Sequence, residues 1–366
     1  MRKLVALLFI GSFLLIPAAH AERPVIRIID KPHINFDGTF HDNELAASLL
    51  PNGKLGKLIY GSNTTGMTIV IDAALVDEVT QMADGYTFAG KKDLGGEKTA
   101  QNWLFRLKYA TSNNNIVALP YGNPDEKLLK SFAPAELLFY SKYAQEKLET
   151  FLGRNVLAEY GWGIGSSRLS YQFHNDYNTN RHLLAGLSSI TSSQELADLR
   201  ARLAIPMNPL LRSDESTYFA YHENAAVEAM ANRLKVIPGR YQLTSNSAKL
   251  PITLVNNFDT ASVVNVSLIP MNSRMQVENV NNVTIAPKSR QQILLPVDVI
   301  APGNTLVLAQ FMNSRGKLVG QVSKLNLTAT IIDPRVAWFT TGAAILLLLG
   351  AVTQSVRRVR RSRHEK

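Results

Sequence analysis

The sequence predicts an α/β head, an immunoglobulin-like β-sandwich and one C-terminal transmembrane helix. Three observations support this fold class. Short β-branched runs alternate with helical patterns over the first part of the chain, seven strand-like runs follow from Gly239, and residues 336–356 contain no charge. Alternating strands and helices are typical of a mainly parallel sheet, either open or curved into a partial barrel. Closely spaced strands separated by turn residues are typical of a sandwich.

The N-terminus has the pattern of a secretory signal peptide. Arg2 and Lys3 precede an apolar stretch from Leu4 to Ile16, and Ala19-His20-Ala21 is a small-x-small cleavage motif. A basic, an apolar and a small-residue region in this order direct export and are then removed. We therefore expect residues 1–21 to be a signal peptide. An uncleaved anchor is the weaker alternative, because the apolar stretch is short.

Residues 22–237 carry the α/β pattern. Apolar runs predict strands at 25–29, 67–71, 116–119 and 156–158, with a further strand over 169–173. Helical spacing predicts helices at 41–50, 54–60, 73–82, 96–110, 125–132, 135–152, about 192–203 and 223–234. The polar stretch from 173 to 182 is rich in asparagine and predicts a surface loop.

Residues 238–332 predict the sandwich. The seven strand-like runs are 240–244, 250–255, 262–269, 275–280, 291–299, 305–311 and 318–330. Alternation in one of them predicts that Val264, Val266 and Leu268 share one face of a strand. The chain has no cysteine, so the disulfide of antibody domains is absent. An exported chain of this size without cysteine also suggests a bacterial source.

The uncharged stretch 336–356 predicts a membrane span. Its 21 residues would form a helix of about 31 Å, which matches the apolar thickness of a bilayer. Trp338 and Phe339 lie at one end, and the basic tail 357–366 follows the other. Basic residues beside a span mark its cytoplasmic side. We therefore expect a single-pass membrane protein with its N-terminus outside and its C-terminus in the cytoplasm.

The net charge of +10 comes mostly from the two ends of the chain. Arg2, Lys3 and the basic tail account for most of the excess, and the intervening part is close to neutral. No basic patch with interleaved aromatic residues occurs outside the tail, which argues against a nucleic-acid partner. The lipid bilayer is the partner that the charge pattern does indicate.

Three stretches of the chain carry a family resemblance. They are TIVIDAALVDEVTQMADGY (68–86), IVALPYGNPDEKLLKSF (116–132) and YQLTSNSAKLPITLVNNFD (241–259). Together with the tail they resemble an actinobacterial family of membrane-anchored cell-envelope proteins of unknown function. Genes of that family often lie beside the gene for the lipid II flippase. The resemblance therefore implies an envelope location and makes this flippase a candidate partner, but it implies no chemistry.

Three carboxylates follow predicted strands. Asp72, Asp125 and Glu159 each lie at or just past the C-terminal end of an apolar run, where open α/β sheets and barrels place their ligands. Two carboxylates at a suitable separation can hydrolyse a glycosidic bond, one as the acid and one as nucleophile or base. The alternative is that Asp72 and Asp125 cap the helices that follow them, which we favour for both.

Aromatic side chains accompany these carboxylates. Tyr121, Tyr160 and Trp162 could stack on a sugar ring, so they are the candidate ligand-binding residues. We expect no metal and no cofactor. His174 and His182 lack the one-turn spacing of helical metal ligands, and the glycine-rich stretch 161–167 lacks both a phosphate-loop ending and a nucleophilic serine elbow.

Two functional hypotheses follow. The first and favoured one is a non-enzymatic envelope protein whose head binds a cell-wall polymer such as wall glycan, or a membrane partner of the wall-synthesis machinery. The second is a carbohydrate-active enzyme, either glycoside hydrolase-like or deacetylase-like, that acts on wall glycan through Glu159 and either Asp72 or Asp125. A signalling receptor is disfavoured, because a tail of ten residues is far shorter than a folded domain.

Overall fold

The computed structural model describes residues 24–61, 66–163, 165, 171–330 and 334–362. The predicted signal peptide (1–21) and the last residues of the basic tail lie outside these ranges. The helices are α1 (Glu44–Leu49), α2 (Lys54–Tyr60), α3 (Ala73–Ala83), α4 (Leu94–Thr111), α5 (Glu126–Phe132), α6 (Pro134–Leu152), α7 (Tyr171–Leu187), α8 (Gln194–Arg202), α9 (Ser213–Ala231) and α10 (Pro334–Ser362). A short 3-10 helix (Ile205–Met207) lies between α8 and α9.

The strands of the described ranges form three sheets and one small hairpin. They are β1 (Val25–Ile28), β2 (Thr68–Ile71), β3 (Thr87–Phe88), β4 (Lys91–Lys92), β5 (Asn115–Ala118), β6 (Leu234–Val236), β7 (Gly239–Leu243), β8 (Ser247–Asn256), β9 (Ser262–Pro270), β10 (Met275–Val277), β11 (Val280–Ile285), β12 (Ser289–Val299), β13 (Gly303–Met312) and β14 (Leu318–Ala329).

The head is built on a parallel sheet in the order β1-β2-β5. Val25 pairs with Thr68 and Thr68 with Asn115, so all three strands begin at one edge of the sheet and end at the other. The strand predicted at 156–158 is reduced to one parallel bridge between Leu157 and Val117. The predicted α/β head with a parallel sheet is therefore confirmed.

Both faces of this sheet are buried, which explains its continuous apolar strands. Ile69 and Ile71 face the main core together with buried residues of α3, α4 and α6. Val70 points the other way and packs in a smaller cluster with Val117 and with Ile29 and Leu119, which directly follow β1 and β5. Trp162 packs against this cluster.

Nine strands form two further sheets, with orders β11-β9-β13-β14-β7 and β10-β12-β8-β6. Their pairs are antiparallel except for β14 with β7. Val264, Val266 and Leu268 are buried whereas Val263 is 54% exposed, so the predicted alternation is confirmed. Strands occupy all seven predicted runs, and β6 and β11 are additional. The immunoglobulin-like classification of the two sheets stays a prediction.

Helix α7 overturns the prediction for residues 171–182. The polar loop predicted at 173–182 and the described part of the strand predicted at 169–173 are both wrong, because Tyr171–Leu187 is a single helix. Residues 169 and 170 lie outside the described residues. Its buried anchors Tyr177, Leu184 and Leu187 are seven and three residues apart, which is helical spacing. Polar side chains occupy most of positions 172–182 and concealed this pattern. Helix α9 also begins ten residues before its predicted start at 223.

The head contacts the five-stranded sheet directly. The N–H of Val263 donates to the carbonyl of Ile190 at 3.1 Å, and Thr191 forms an isolated bridge with Ser262. Nδ2 of Asn313 donates to Oγ of Ser189 at 3.0 Å. One connected cluster of buried side chains extends from the head helices into both antiparallel sheets. The division at residue 237 therefore remains a prediction from sequence.

Helix α10 extends from Pro334 to Ser362 and contains the stretch Trp338–Arg357. This stretch has 20 residues, and none of it is buried against the rest of the described chain. Its length and composition suffice to cross a membrane. One apolar helix at the C-terminus fits a single-pass membrane anchor.

Candidate functional site

Asp72 lies at the end of β2 and joins two backbone segments. Its Oδ1 accepts a hydrogen bond from the N–H of Ala74 at 2.9 Å and another from the N–H of Gly122 at 3.0 Å. Burial raises the pKa of Asp72 to about 7, although both hydrogen bonds act in the opposite direction. Asp72 therefore caps α3 and fixes the loop after β5 to β2, as the capping alternative predicts.

Asp125 is also a helix cap. Its Oδ1 accepts a hydrogen bond from the N–H of Leu128 at 2.9 Å, in the first turn of α5. Its own N–H donates to the carbonyl of Met207 at 3.0 Å, and its side chain is buried. Both aspartates thus hold helix termini at the carboxyl edge of the parallel sheet.

Glu159 lies in an exposed loop together with Tyr160 and Trp162. The indole N–H of Trp162 donates to Oε2 of Glu159 at 3.2 Å. Tyr160 is 50% exposed, and Trp162 is half-buried against the smaller cluster of the sheet. The structure therefore brings these three predicted residues together in one short segment.

Two residues that the sequence analysis missed hold this loop. Glu126 is buried, and its two carboxylate oxygens accept hydrogen bonds from the N–H groups of Gly161 at 2.7 Å and Gly163 at 3.2 Å. The guanidinium of Arg27 donates to the carbonyl of Trp162. The loop is thus fixed by side chains from α5 and β1.

Tyr121 lies apart from the other two aromatic candidates. It is buried in the main core, and its hydroxyl donates to Oδ2 of Asp77 in α3 at 3.0 Å. Trp162 belongs to the smaller cluster on the opposite face of the sheet. The structure therefore does not combine Tyr121 with Tyr160 and Trp162 in a single aromatic site.

Tyr121 instead lines a cleft, which we call the α3–α6 cleft. It has a volume of about 440 Å³ and lies beside the loops that follow β1 and β5, between α3, α6 and the end of α8. Its polar lining includes Asp77, Asp84, Tyr121, Tyr143, Lys147 and Asp198. Ligands of open α/β sheets bind at the carboxyl ends of the strands, and this cleft lies at that edge.

Two carboxylates of the α3–α6 cleft share the ammonium of Lys147. Nζ of Lys147 lies 3.5 Å from Asp77 and 3.9 Å from Asp198, and the hydroxyl of Tyr143 donates to Asp198. Burial raises the pKa of Asp77, and the ammonium of Lys147 opposes this shift. Burial also raises the pKa of Tyr143, which therefore keeps its proton as a hydrogen-bond donor.

A hairpin of residues 33–41 forms one wall of the cleft. Both oxygens of Glu78 accept from the N–H of His33 at 3.1 Å, and Oε1 also accepts from the N–H of Ile34 at 3.3 Å. From the other side, Arg202 donates to the carbonyls of Ile34, Asn35 and Phe36. Burial raises the pKa of Glu78 to about 7, and His33 lowers it.

The sequence did contain a signal that Glu78 is buried and needs a partner. It follows Leu75 by three residues and precedes Met82 by four, so it lies within the buried stripe of α3. A charged residue in an apolar stripe needs a partner, because an unpaired buried charge is costly. Glu126 gave no such signal, since its partners lie 35 and 37 residues away. In the described ranges, no group of three or more His, Cys, Asp or Glu side chains is placed to hold a metal ion.

A family model matches the C-terminal part of the chain. The model is that of DUF6049, a family of unknown function, and it matches residues 163–364. This range is more than half of the chain. The chain belongs to this family. The resemblance to a family of unknown function is thereby confirmed, while the actinobacterial origin and the neighbouring flippase gene stay predictions. No curated protein matches the sequence.

Several solved structures are similar to about a quarter of the chain. Alpha-2-macroglobulin of E. coli is 15% identical, with a TM-score of 0.22, over 27% of this chain and 6% of the macroglobulin. WR4, an MSP family member of C. elegans, is 12% identical with a TM-score of 0.21, over 27% of this chain and 98% of WR4. A PapD-like domain of human CEP192 is 7% identical with a TM-score of 0.21, over 28% of this chain and 87% of that domain. At these TM-scores the similarity carries no functional argument.

Proposed function

We propose that this chain is an exported, single-pass envelope protein whose head binds a cell-wall glycan without hydrolysing it. In this proposal residues 1–21 direct export, α10 anchors the protein, and the basic tail lies in the cytoplasm. The two sheets of β6–β14, which we classify as an immunoglobulin-like sandwich, separate the head from the bilayer. The lipid II flippase is the partner that we propose from the family resemblance.

The lining of the α3–α6 cleft carries this proposal. The carboxylates in this lining outnumber the cations, and Lys147 already interacts with Asp77 and Asp198. The cleft therefore disfavours an anionic ligand. It does present carboxylate acceptors together with ammonium and phenol donors. Hydroxyl groups both donate and accept hydrogen bonds, so an uncharged sugar suits this lining. The volume of about 440 Å³ lies within the usual range of ligand pockets.

The positions of the three predicted carboxylates favour binding over hydrolysis. Asp72 and Asp125 are buried helix caps, and Glu159 accepts a hydrogen bond from Trp162 in the exposed loop. Glycoside hydrolysis needs two carboxyl groups on either side of one bond in one cleft. Each of the three has a structural partner, and none of them lines the α3–α6 cleft. The cleft's own carboxylates Asp77 and Asp198 lie 3.5 and 3.9 Å from Nζ of Lys147. A binding role without catalysis is therefore the function that we propose.

The test is calorimetric titration of the full-length protein in lipid nanodiscs with chito-oligosaccharides, which are uncharged and have the β-1,4-linked N-acetylated sugar backbone of peptidoglycan glycan. Lys147→Met should weaken binding about tenfold, or about 1.4 kcal/mol, because it removes the ammonium donor from the cleft. Lys142→Met is the matched control on the same helix, since Lys142 is 74% exposed and pairs with Glu146 outside the cleft. Equal affinities of the wild type and Lys147→Met would contradict the proposal.

A further inference from the structure

A second cleft adjoins the α3–α6 cleft. We call it the α8–α9 cleft, and its volume is about 490 Å³. Leu199, Ala226, Ala229 and Met230 contribute an apolar floor, and Asp37, His222, Glu195 and Arg233 add polar groups. A sugar ring has a similar division, with an apolar C–H face and hydroxyl groups around its edge.

The two clefts share one wall. Asp198 and Arg202 line both of them and lie four residues apart, on the same side of α8. The hairpin contributes to both as well, because Ile34 lines the first cleft and Phe36 the second. The clefts are therefore consecutive along the surface of the head.

This shared wall is held in place by its own contacts. Arg202 lies 4.8 Å above the ring centre of Phe36 and donates to backbone carbonyls of the hairpin. The hydroxyl of Tyr143 and the amide of Gln194 both donate to Oδ1 of Asp198. A ligand that crosses the wall would meet prearranged groups, so little ordering of the protein would be needed on binding.

The α8–α9 cleft is similar in charge. The guanidinium of Arg233 forms an ion pair with Glu195, and both residues line the cleft. In each cleft the carboxylates outnumber the cations, so neither favours an anionic ligand, and both offer hydrogen-bonding groups. An uncharged polymer can use these groups in both clefts without the repulsion that an anionic polymer would meet.

We propose that the two clefts are consecutive subsites for one extended polysaccharide strand, which crosses the wall at Asp198 and Arg202. This inference rests on the proposed function and adds the length of the ligand and a second subsite. Filling the second subsite adds contacts without a second loss of overall translational freedom. Affinity should therefore increase with chain length until both clefts are filled.

The experiment titrates the full-length protein in nanodiscs with chito-oligosaccharides of increasing length. From the disaccharide to the hexasaccharide, affinity should rise by about tenfold or more and then level off. Ala229→Leu fills the α8–α9 cleft with little change in helix propensity. It should abolish this gain while leaving the disaccharide affinity unchanged. Glu228→Leu, at the neighbouring exposed position that lines neither cleft, is the control and should behave as the wild type.

The outcomes separate this inference from the proposed function. If the disaccharide binds and longer fragments bind no more tightly, the second subsite is overturned and glycan binding by the head is retained. The second subsite would also be overturned if Ala229→Leu bound the hexasaccharide as tightly as the wild type does. The same holds if Ala229→Leu weakened the binding of the disaccharide and the hexasaccharide equally. Absence of binding by every fragment would overturn the proposed function itself.

Discussion

Nδ2 of Asn180 donates a hydrogen bond to Oε1 of Glu223 at 2.8 Å. This hydrogen bond joins α7 to α9 inside the head. Glu223 is only 2% exposed, and its Oε2 has no hydrogen-bond partner in the described part of the chain. Burial raises the pKa of Glu223 from 4.5 to about 8, while Asn180 lowers it and Asp176 raises it further. This carboxyl is therefore more easily protonated in the folded protein than in the unfolded chain.

The pH dependence of stability follows from this shift. Folding takes up a proton at Glu223 between the unfolded pKa of 4.5 and the folded value of about 8. Its contribution to stability is thus fully present below pH 4.5 and is lost as the pH rises to about 8. The raised pKa values of Asp72 and Glu78, both about 7, act in the same direction.

We predict that the melting temperature falls between about pH 5 and pH 8 and that Glu223→Gln reduces this fall. Glutamine keeps an acceptor for Asn180 but has no proton to release. Thermal unfolding followed by circular dichroism at both pH values measures the effect. The same pH dependence in the wild type and the variant would show that Glu223 does not contribute to it.

The buried face of β9 gives a prediction on stability. Val266→Asp should cost on the order of 3 kcal/mol, because it places a carboxylate without a partner among buried side chains. Val263→Asp is the matched control, since Val263 is in the same strand and 54% exposed, whereas Val266 is 0% exposed. Urea unfolding of both variants measures the difference. Equal midpoints would contradict the assignment of these residues to opposite faces.

Glu126 should control the mobility of the loop around Trp162. In Glu126→Ala the N–H groups of Gly161 and Gly163 lose their acceptors, so we expect faster acrylamide quenching of Trp162 fluorescence. A Trp338→Phe background leaves Trp162 and the fully buried Trp103 as the only tryptophans. Glu146→Ala, at an exposed site in α6, should leave the quenching rate unchanged. Unchanged quenching in Glu126→Ala would mean that other contacts hold the loop.

The orientation in the membrane can be tested with single cysteines, because the natural chain contains none. Ser273→Cys places a thiol in an exposed turn before β10, and Ser362→Cys places one at the end of α10. In spheroplasts, a membrane-impermeant maleimide should label Ser273→Cys at once. It should label Ser362→Cys only after detergent is added. The opposite result would reverse the proposed topology.

Glu159 provides the test between binding and catalysis. We expect the wild-type protein to release no reducing sugar from wall glycan and Glu159→Gln to bind glycan as tightly as the wild type. Glutamine keeps an acceptor for the indole N–H of Trp162, so the loop should remain in place. Hydrolysis by the wild type that disappears in Glu159→Gln, with binding retained, would instead support the carbohydrate-active enzyme.

The sequence predicted those features that depend on neighbouring residues. The strands around Ile69 and Val117 are buried on both faces and therefore read as continuous apolar runs. The capping of α3 by Asp72 was also predictable, because its bond to Ala74 spans two residues. Helix α7 was not, since a polar stretch of asparagine, threonine, arginine and histidine separates its buried Tyr177 from Leu184.

Much of the candidate site depends on contacts between distant segments. Glu78 and His33 are 45 residues apart, and Lys147 meets Asp77 only because α6 packs on α3. In neither pair does the local sequence indicate which distant residue is the partner. The α3–α6 cleft and its shared wall with the α8–α9 cleft therefore became visible only in the folded chain.

The position of β14 has a mechanical consequence. β14 ends at Ala329 and α10 begins at Pro334, so a pull between a glycan held by the head and an anchor in the membrane would load this strand first. β14 lies between β13 and β7, and its pairing with β7 is parallel. Tension along β14 would act on the interstrand hydrogen bonds in shear, so that many must break together instead of opening one after another. The strand next to the anchor is thus arranged to resist force.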